Sequence, residues 1–221
     1  MGDRHTRLLV AAVGASVAVA FADSSIVVLA LPELYTDFHA SLVGVSWVIT
    51  SYNLVVVVAA FALVPLVRRV HVRVVTRVGL ALFTIGSIGC AAAWGLTDLI
   101  AFRCVQGLGG ALVLAGALPM LGGLLGSPAG GARLWTATGT FGAALGPALG
   151  GVLTQLADWR AIFAVQAPIA AVPSLRPSTR ASMSCPWKEP LRGVRVASPP
   201  TPGWPSSSAG SSARSFCPSC S

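Results

Sequence analysis

The fold is decided by a long apolar run near the N-terminus, Leu8-Leu-Val-Ala-Ala-Val-Gly-Ala-Ser-Val-Ala-Val-Ala-Phe-Ala-Asp-Ser-Ser-Ile-Val-Val-Leu-Ala-Leu31. Asp23 is its single charged residue. About 20 such residues are enough to cross the hydrocarbon core of a bilayer, so the run predicts a membrane-spanning helix. A secretory signal peptide is the competing interpretation of residues 1–22, because Ala20-Phe21-Ala22 resembles a cleavage site. The apolar run continues to Leu31, which favours the helix.

Further apolar runs and the overall composition agree with a membrane protein. Hydrophobic residues make up 54% of the 221 residues and charged residues 10%, whereas soluble domains carry about 25% charged residues. A sixth run is short, because only Ala161–Val172 is apolar, about 18 Å of helix against a core of about 30 Å. We therefore expect an all-α membrane protein, a bundle of five to six transmembrane helices with an incomplete sixth. The runs after the first are Val43–Val67, Val78–Leu96, Leu99–Leu125 and Leu134–Leu156.

The last segment, residues 173–221, has a different composition. It holds 9 of the 15 prolines, 13 serines and six basic residues against Glu189 alone. Such a segment buries too little apolar surface to fold. We therefore expect a transmembrane domain, residues 1–172, followed by a disordered Pro/Ser/Arg-rich tail, residues 173–221. The abrupt change within one helix suggests the hypothesis that the tail is translated from a shifted reading frame; a genuine cytoplasmic tail is the alternative.

The net charge of +8 does not indicate a nucleic-acid partner, because the basic residues lie in short clusters between apolar runs. Arg4 and Arg7 precede the first run, whereas the loops after the first and third runs carry Glu33, Asp37 and Asp98 and no lysine or arginine. The positive-inside rule then predicts a multi-pass protein of the cell membrane with a cytoplasmic N-terminus. Four more arginines lie between the second and third runs: Arg68, Arg69, Arg73 and Arg77.

Two charged residues within the runs need a reason, because a charge inside a span costs about 2.5–3.5 kcal/mol. Asp23 is interpreted as a protonatable group facing a water-filled cavity, or as a structural carboxylate satisfied by neighbouring hydroxyls or by an arginine. Arg103, Gln106, Gly107 and Gly110 are spaced i, i+3, i+4, i+7 and share one helix face. That face looks into the bundle unless Arg103 snorkels to the lipid headgroups.

Small residues recur in the fifth run. Gly142, Gly146 and Gly150 follow one another every four residues, with Gly151 next to the last, and form a smooth groove for another helix. Pro147 removes one backbone hydrogen bond and predicts a kink. Simple packing and a functional hinge are the two interpretations of this pattern.

No set of residues indicates catalysis or a cofactor. A nucleophile beside a base is not recognisable, and the Gly-x-x-x-x-Gly-Lys-Ser/Thr phosphate loop is missing. Cys217 and Cys220 have the spacing of a metal site, but no second pair accompanies them. We therefore expect neither an enzyme nor a metal site.

Together these segments resemble the N-terminal half of a major facilitator superfamily transporter, and most closely the fourteen-helix drug:proton antiporter branch. The resemblance covers roughly residues 8–172 and includes the first-helix signature, which ends in Ala-Leu-Pro. It also includes the fourth-helix Arg and Gln-Gly motif and the fifth-helix antiporter motif. The matching stretches are Phe21–Pro32, Trp47–Tyr52, Leu99–Gly107, Gly142–Gly151, and Asp158–Phe163 with Pro168.

The resemblance implies proton-coupled multidrug efflux by alternating access across the lipid bilayer. Asp23 and Arg103, with Gln106, would then belong to the pathway of protons and substrate. Gly146 and Pro147 would form a flexible seam between moving helices. The substrates implied are small amphipathic or cationic molecules, exchanged for protons.

Two departures from the family pattern affect this expectation. The family's cytoplasmic motif reads Gly-x-Leu-Ala-Asp-Arg-x-Gly-Arg, whereas this chain has Val64, Arg68 and His71 in place of Gly, Asp and Gly. The second six-helix half is also expected to be missing. The alternative is therefore a non-transporting membrane protein, either an inert truncated product or a half that must pair with another half-transporter chain. The residues of the degenerate motif that remain are Leu66, Arg69 and Arg73.

Overall fold

A computed structural model describes residues 2–175, apart from the side chains of residues 2–3, 64–69 and 172–175. Over this range the chain is helical and without strands, which confirms the predicted fold class. The six helices, in chain order, are α1 (Gly2–Asp37), α2 (Leu42–Arg69), α3 (Val72–Ala91), α4 (Leu96–Leu124), α5 (Pro128–Leu156) and α6 (Trp159–Leu175).

Short turns connect the helices. The turn between α4 and α5 contains residues that explain why α4 ends and α5 begins there. Gly126 has φ +62°, in the left-handed region that glycine adopts at little cost. The Ser127 hydroxyl accepts a hydrogen bond from the Gly130 backbone N–H at 3.1 Å. Pro128 then occupies the first turn of α5, where its missing N–H costs nothing.

Four of the described helices are long and apolar enough to cross a membrane: Arg4–Asp37, Leu42–Leu63, Val72–Ala91 and Leu96–Leu124. α5 has 29 residues, but it is rich in glycine and threonine, which lowers its hydropathy. Each predicted run falls within one helix or passes its end by a few residues. The helices are mostly longer than the runs, because the backbone stays helical through polar flanks.

α6 is longer than the apolar stretch that predicted it. It runs from Trp159 through Pro173 to Leu175 and has 17 residues, which is about 26 Å of helix. The helix therefore extends beyond Val172 on the side where the composition changes. The predicted tail lies outside the described residues from position 176 onward, so its disorder and the reading-frame hypothesis stay predictions.

The helices associate mainly in pairs that are not always neighbours along the chain. α3 lies along α4, α1 along α5, and α2 against α4, while α6 packs against α3 and α1. Glycines allow the closest of these contacts. A Cβ atom at Gly86 would lie 2.7 Å from the backbone nitrogen of Gln106, and one at Gly79 would lie 2.7 Å from Cβ of Leu112. The α3–α4 contact therefore requires glycine, and it holds Gln106 in place.

One cluster of buried apolar side chains combines residues of α1, α2, α3, α4 and α6. Trp159 is fully buried there, and its indole Nε1 donates to Asp37 Oδ2 at 2.8 Å. By contrast, α2 and α5 expose large apolar side chains, as expected for surfaces that meet lipid or protein. Those of α2 and α5 include Trp47, Val57, Phe61, Phe141, Leu145 and Leu149.

Candidate functional site

A buried ion pair lies in the interior of the helix bundle. Nη1 of Arg103, on α4, lies 2.6 Å from Oδ2 of Asp23, on α1, and both side chains are fully buried. Taking two charges out of water costs several kcal/mol per ion, which the pair recovers only if further hydrogen bonds satisfy both groups. The surroundings of Arg103 supply such bonds.

The guanidinium of Arg103 also contacts residues of α2 and α6 and one residue of its own helix, α4. Its Nε donates to the backbone oxygen of Val48 on α2 at 3.1 Å, and Nη1 also donates to Oε1 of Gln106 at 2.7 Å. The ring of Tyr52 lies 4.5 Å from the guanidinium carbon and the ring of Phe163 lies 5.5 Å away. These distances allow cation–π attraction, which strengthens when water is excluded. Among the described residues, none accepts a hydrogen bond from Nη2.

Gln106 connects this ion pair to α3 and α6. Its Nε2 lies 2.9 Å from Oγ of Ser87 on α3, 2.9 Å from Oε1 of Gln166 on α6, and 3.4 Å from Oδ1 of Asp23. All of these side chains are buried. One polar network therefore joins α1, α3, α4 and α6, and the Val48 carbonyl adds α2.

Two glycines of α4 make room for Tyr52, whose ring packs against Arg103. A Cβ atom at Gly107 would lie 2.8 Å from the backbone oxygen of Tyr52, and one at Gly110 would lie 2.8 Å from its hydroxyl. That hydroxyl donates to the backbone oxygen of Ala20 on α1 at 3.0 Å. The face shared by Arg103, Gln106 and the two glycines therefore contacts α2 and the interior polar network.

The glycines of α5 lie against α1, the helix that carries Asp23. Cβ atoms at Gly142 and Gly146 would overlap the Ala18 carbonyl and the Ser25 hydroxyl, respectively, and one at Gly150 would lie 2.6 Å from the oxygen of Ile26. We call Gly142, Gly146 and Gly150 the glycine stripe. Gly151 has an ordinary contact of 3.4 Å with Leu29, and Pro147 lies on the exposed side of α5.

The structure places Asp23 against an arginine rather than against the hydroxyls beside it. Ser24 donates to Asn53 Oδ1 at 3.0 Å, and Ser25 donates to the backbone oxygens of Ala22 and Ala143. Arg103 is fully buried, so its guanidinium does not extend to a surface in this conformation.

Arg73 is the residue retained from the degenerate cytoplasmic motif whose side chain the structure describes. Arg73 lies at the start of α3, in the first turn after the α2–α3 connection. The side chains of Leu66, Arg68 and Arg69 are outside the described residues, so their predicted role in the loop stays a prediction.

Ser87, Gln166, Tyr52 and Phe163 were not predicted to belong to the site. Gln166 offered the clearest sequence signal, since it is the one amide side chain in the apolar part of α6. Ser87 and Tyr52 offered little, because a serine or a tyrosine within an apolar run is satisfied easily and occurs for many reasons.

The pattern of the Major Facilitator Superfamily matches residues 13–192. The chain is 35% identical over 176 residues to multidrug resistance protein Stp of Mycobacterium tuberculosis, which covers 77% of this chain and 32% of that protein. It is 36% identical over 152 residues to the methylenomycin A resistance protein of Bacillus subtilis, covering 67% of this chain and 33% of that protein.

A third relative is the tetracenomycin C resistance and export protein of Streptomyces glaucescens. It is 34% identical over 167 residues, covering 73% of this chain and 30% of that protein. The chain therefore spans about a third of the length of the curated relatives that it matches.

Proposed function

The chain belongs to the major facilitator superfamily, and on that premise we propose that it forms the N-terminal bundle of a proton-coupled exporter of small molecules. The family and the efflux proteins among its relatives point to a multi-pass membrane transporter rather than an enzyme. The buried Asp23–Arg103 pair is the single observation that carries the proton-coupled part of the proposal.

The proposed role of Asp23 is to carry the exchanged proton. Proton uptake would neutralise the carboxylate and leave Arg103 as a buried cation without its counter-charge. This change favours a different arrangement of the helices around the guanidinium. A proton on Asp23 would thus bias the equilibrium between inward-open and outward-open states, which is the requirement for alternating access.

The proposed moving element is the contact between α1 and α5. The glycine stripe places backbone directly against α1, with no interlocking side chains from α5 at those three positions. Such a smooth contact allows one helix to slide along the other. Because α1 carries Asp23, protonation and sliding would act on the same helix.

The proposed substrates are small amphipathic or cationic molecules, exchanged for protons. Two relatives are named for resistance to methylenomycin A and to tetracenomycin C. The N-terminus is proposed to be cytoplasmic in the cell membrane, because the arginine-rich connections alternate with acidic ones.

A second helix bundle is proposed to complete the transport unit. The chain spans about a third of its relatives' length, and α2 and α5 expose long apolar faces. The bundle that covers these faces would come from another half-transporter chain, which in a membrane reconstituted with this chain alone is a second copy of it. If none is available, the alternative is a membrane protein without transport activity.

Flux measurements test the proposal. The full chain is reconstituted in liposomes, and uptake of ethidium, a cationic aromatic dye, is followed after a pH gradient is imposed. We expect gradient-driven uptake that Asp23→Asn abolishes and that Asp98→Asn leaves unchanged, since Asp98 is an exposed acid at the start of α4. Uptake that is the same with and without Asp23 would contradict proton coupling, and no uptake by the wild-type chain would favour the non-transporting alternative.

A further inference from the structure

Gln106 has more hydrogen-bond acceptors around its amide nitrogen than it has hydrogens to give. Its Oε1 receives a hydrogen bond from Nη1 of Arg103 at 2.7 Å, so its Nε2 must point to the other side. There it meets Ser87 and Gln166, each at 2.9 Å, and Asp23 at 3.4 Å. An amide nitrogen carries two hydrogens. Asp23 is therefore the acceptor that receives the weakest hydrogen bond from Gln106.

The two acceptors that compete with Asp23 are well placed to keep the Gln106 hydrogens. Ser87 gives its own hydrogen to the backbone oxygen of Phe83 at 2.8 Å, which leaves its lone pairs free to accept. The carbonyl oxygen of Gln166 must face Gln106, because the opposite orientation would bring two amide nitrogens together. Both side chains are buried, so bulk water does not take their place.

We propose that Gln166, together with Ser87, is a positioning residue that withholds the Gln106 amide from Asp23 and thereby holds the carboxylate ready to accept a proton. Hydrogen bonds donated to a carboxylate stabilise its charged form and oppose protonation. Withholding one of them has the reverse effect. The inference rests on the proposed function, in which Asp23 carries the exchanged proton.

The other charged and titratable groups around Asp23 stay the same when Gln166 is changed. Arg103 on α4 supplies the positive charge, Tyr52 on α2 packs against its guanidinium, and Cys90 on α3 donates to Oε1 of Gln106. The remaining charged residues described on α5 and α6 are Arg133, in the second turn of α5, and Arg160, at the start of α6, and those of α1 lie near its two ends. A change in the protonation of Asp23 on substitution of Gln166 therefore reports the Gln106 hydrogen bonds.

Infrared spectroscopy of the full chain in lipid nanodiscs tests this role without requiring transport. The carboxyl band of protonated Asp23 is identified by its loss in Asp23→Asn, and its intensity is followed against pH. In Gln166→Met the released hydrogen of Gln106 turns to Asp23, and we expect the midpoint of protonation to fall by about one pH unit, a tenfold loss of proton affinity. Ser87→Ala should move the midpoint in the same direction.

Gln155→Met is the matched control, because Gln155 is exposed on α5 and should leave the midpoint unchanged. A midpoint that stays or rises in Gln166→Met overturns the inference, and Ser87→Ala decides in the same way if the first variant fails to fold. A shifted midpoint together with flux that is unchanged in Asp23→Asn would overturn the proposed function but support the positioning role. An Asp23 band that appears at no pH in the folded chain would contradict both.

Discussion

Arg103 carries a permanent charge into the bundle, and its partners come from several helices. α1 supplies Asp23, α2 supplies the carbonyl of Val48, and α6 supplies the ring of Phe163. The helix face that includes Arg103 follows from the sequence spacing alone. Its pairing with Asp23 does not, because these residues are 80 positions apart and no local pattern links them.

Loss of the Asp23 charge is expected to destabilise the fold strongly. Asp23→Asn leaves a buried guanidinium without a counter-charge, which typically costs about 3–5 kcal/mol. The double variant Asp23→Asn/Arg103→Met should recover most of this loss, because it removes the unpaired charge as well. The free energy of unfolding in mixed detergent micelles measures both. A double variant less stable than Asp23→Asn would show that Arg103 does not depend on Asp23.

Tyr52 is expected to contribute through its hydroxyl as well as its ring. Tyr52→Phe keeps the ring beside Arg103 but removes the hydrogen bond to Ala20, and should lower the free energy of unfolding by about 1 kcal/mol. Tyr35→Phe makes the same change at a half-exposed tyrosine and should have no measurable effect. Equal effects of the two substitutions would argue against the α1–α2 hydrogen bond.

The glycines of α5 show what a pattern within one helix can predict and what it cannot. Glycines four residues apart predicted a groove, and a period of four does place them on one face. The helix that fills the groove is α1, which lies more than a hundred residues earlier in the chain. Its identity depends on how all six helices pack, so the pattern within α5 contained no information about it. The hinge interpretation stays a prediction.

The glycine stripe is expected to tolerate no added methyl group. A Cβ atom at Gly150 would lie 2.6 Å from the Ile26 carbonyl, whereas one at Gly151 would make an ordinary contact. Gly150→Ala should therefore cost about 1–3 kcal/mol of unfolding free energy through overpacking. Gly151→Ala should be neutral or slightly stabilising, because alanine favours helix. The free energies of unfolding of the two single variants check this. A Gly150→Ala variant as stable as the wild type would contradict the close α1–α5 contact.

For the whole molecule, the apolar runs were enough to predict the helical class and most helix positions, since each run must satisfy its backbone hydrogen bonds internally in lipid. The end of α6 was harder to predict. The composition changes after Val172, yet the backbone remains helical to Leu175, because helix formation does not require apolar side chains.

The orientation of the whole bundle gives a further prediction. In a background without the native cysteines, Trp94→Cys, in the α3–α4 connection, should react with a membrane-impermeant maleimide added to intact cells. Ala129→Cys, at the start of α5, should react only after the cells are permeabilised, because it lies at the opposite end of α4. Reversed labelling would place the N-terminus outside.

The central claim is that Asp23, paired with Arg103, couples protons to substrate. Measuring the protons released when a drug binds tests this claim most directly. The purified chain is mixed with ethidium in weakly buffered detergent solution, and a pH indicator dye records the protons set free. If substrate and proton compete through Asp23, binding must release protons by linkage. We predict release by the wild type and by Asp98→Asn, and none by Asp23→Asn. Release that persists undiminished in Asp23→Asn, or no release by the wild type, would contradict the claim.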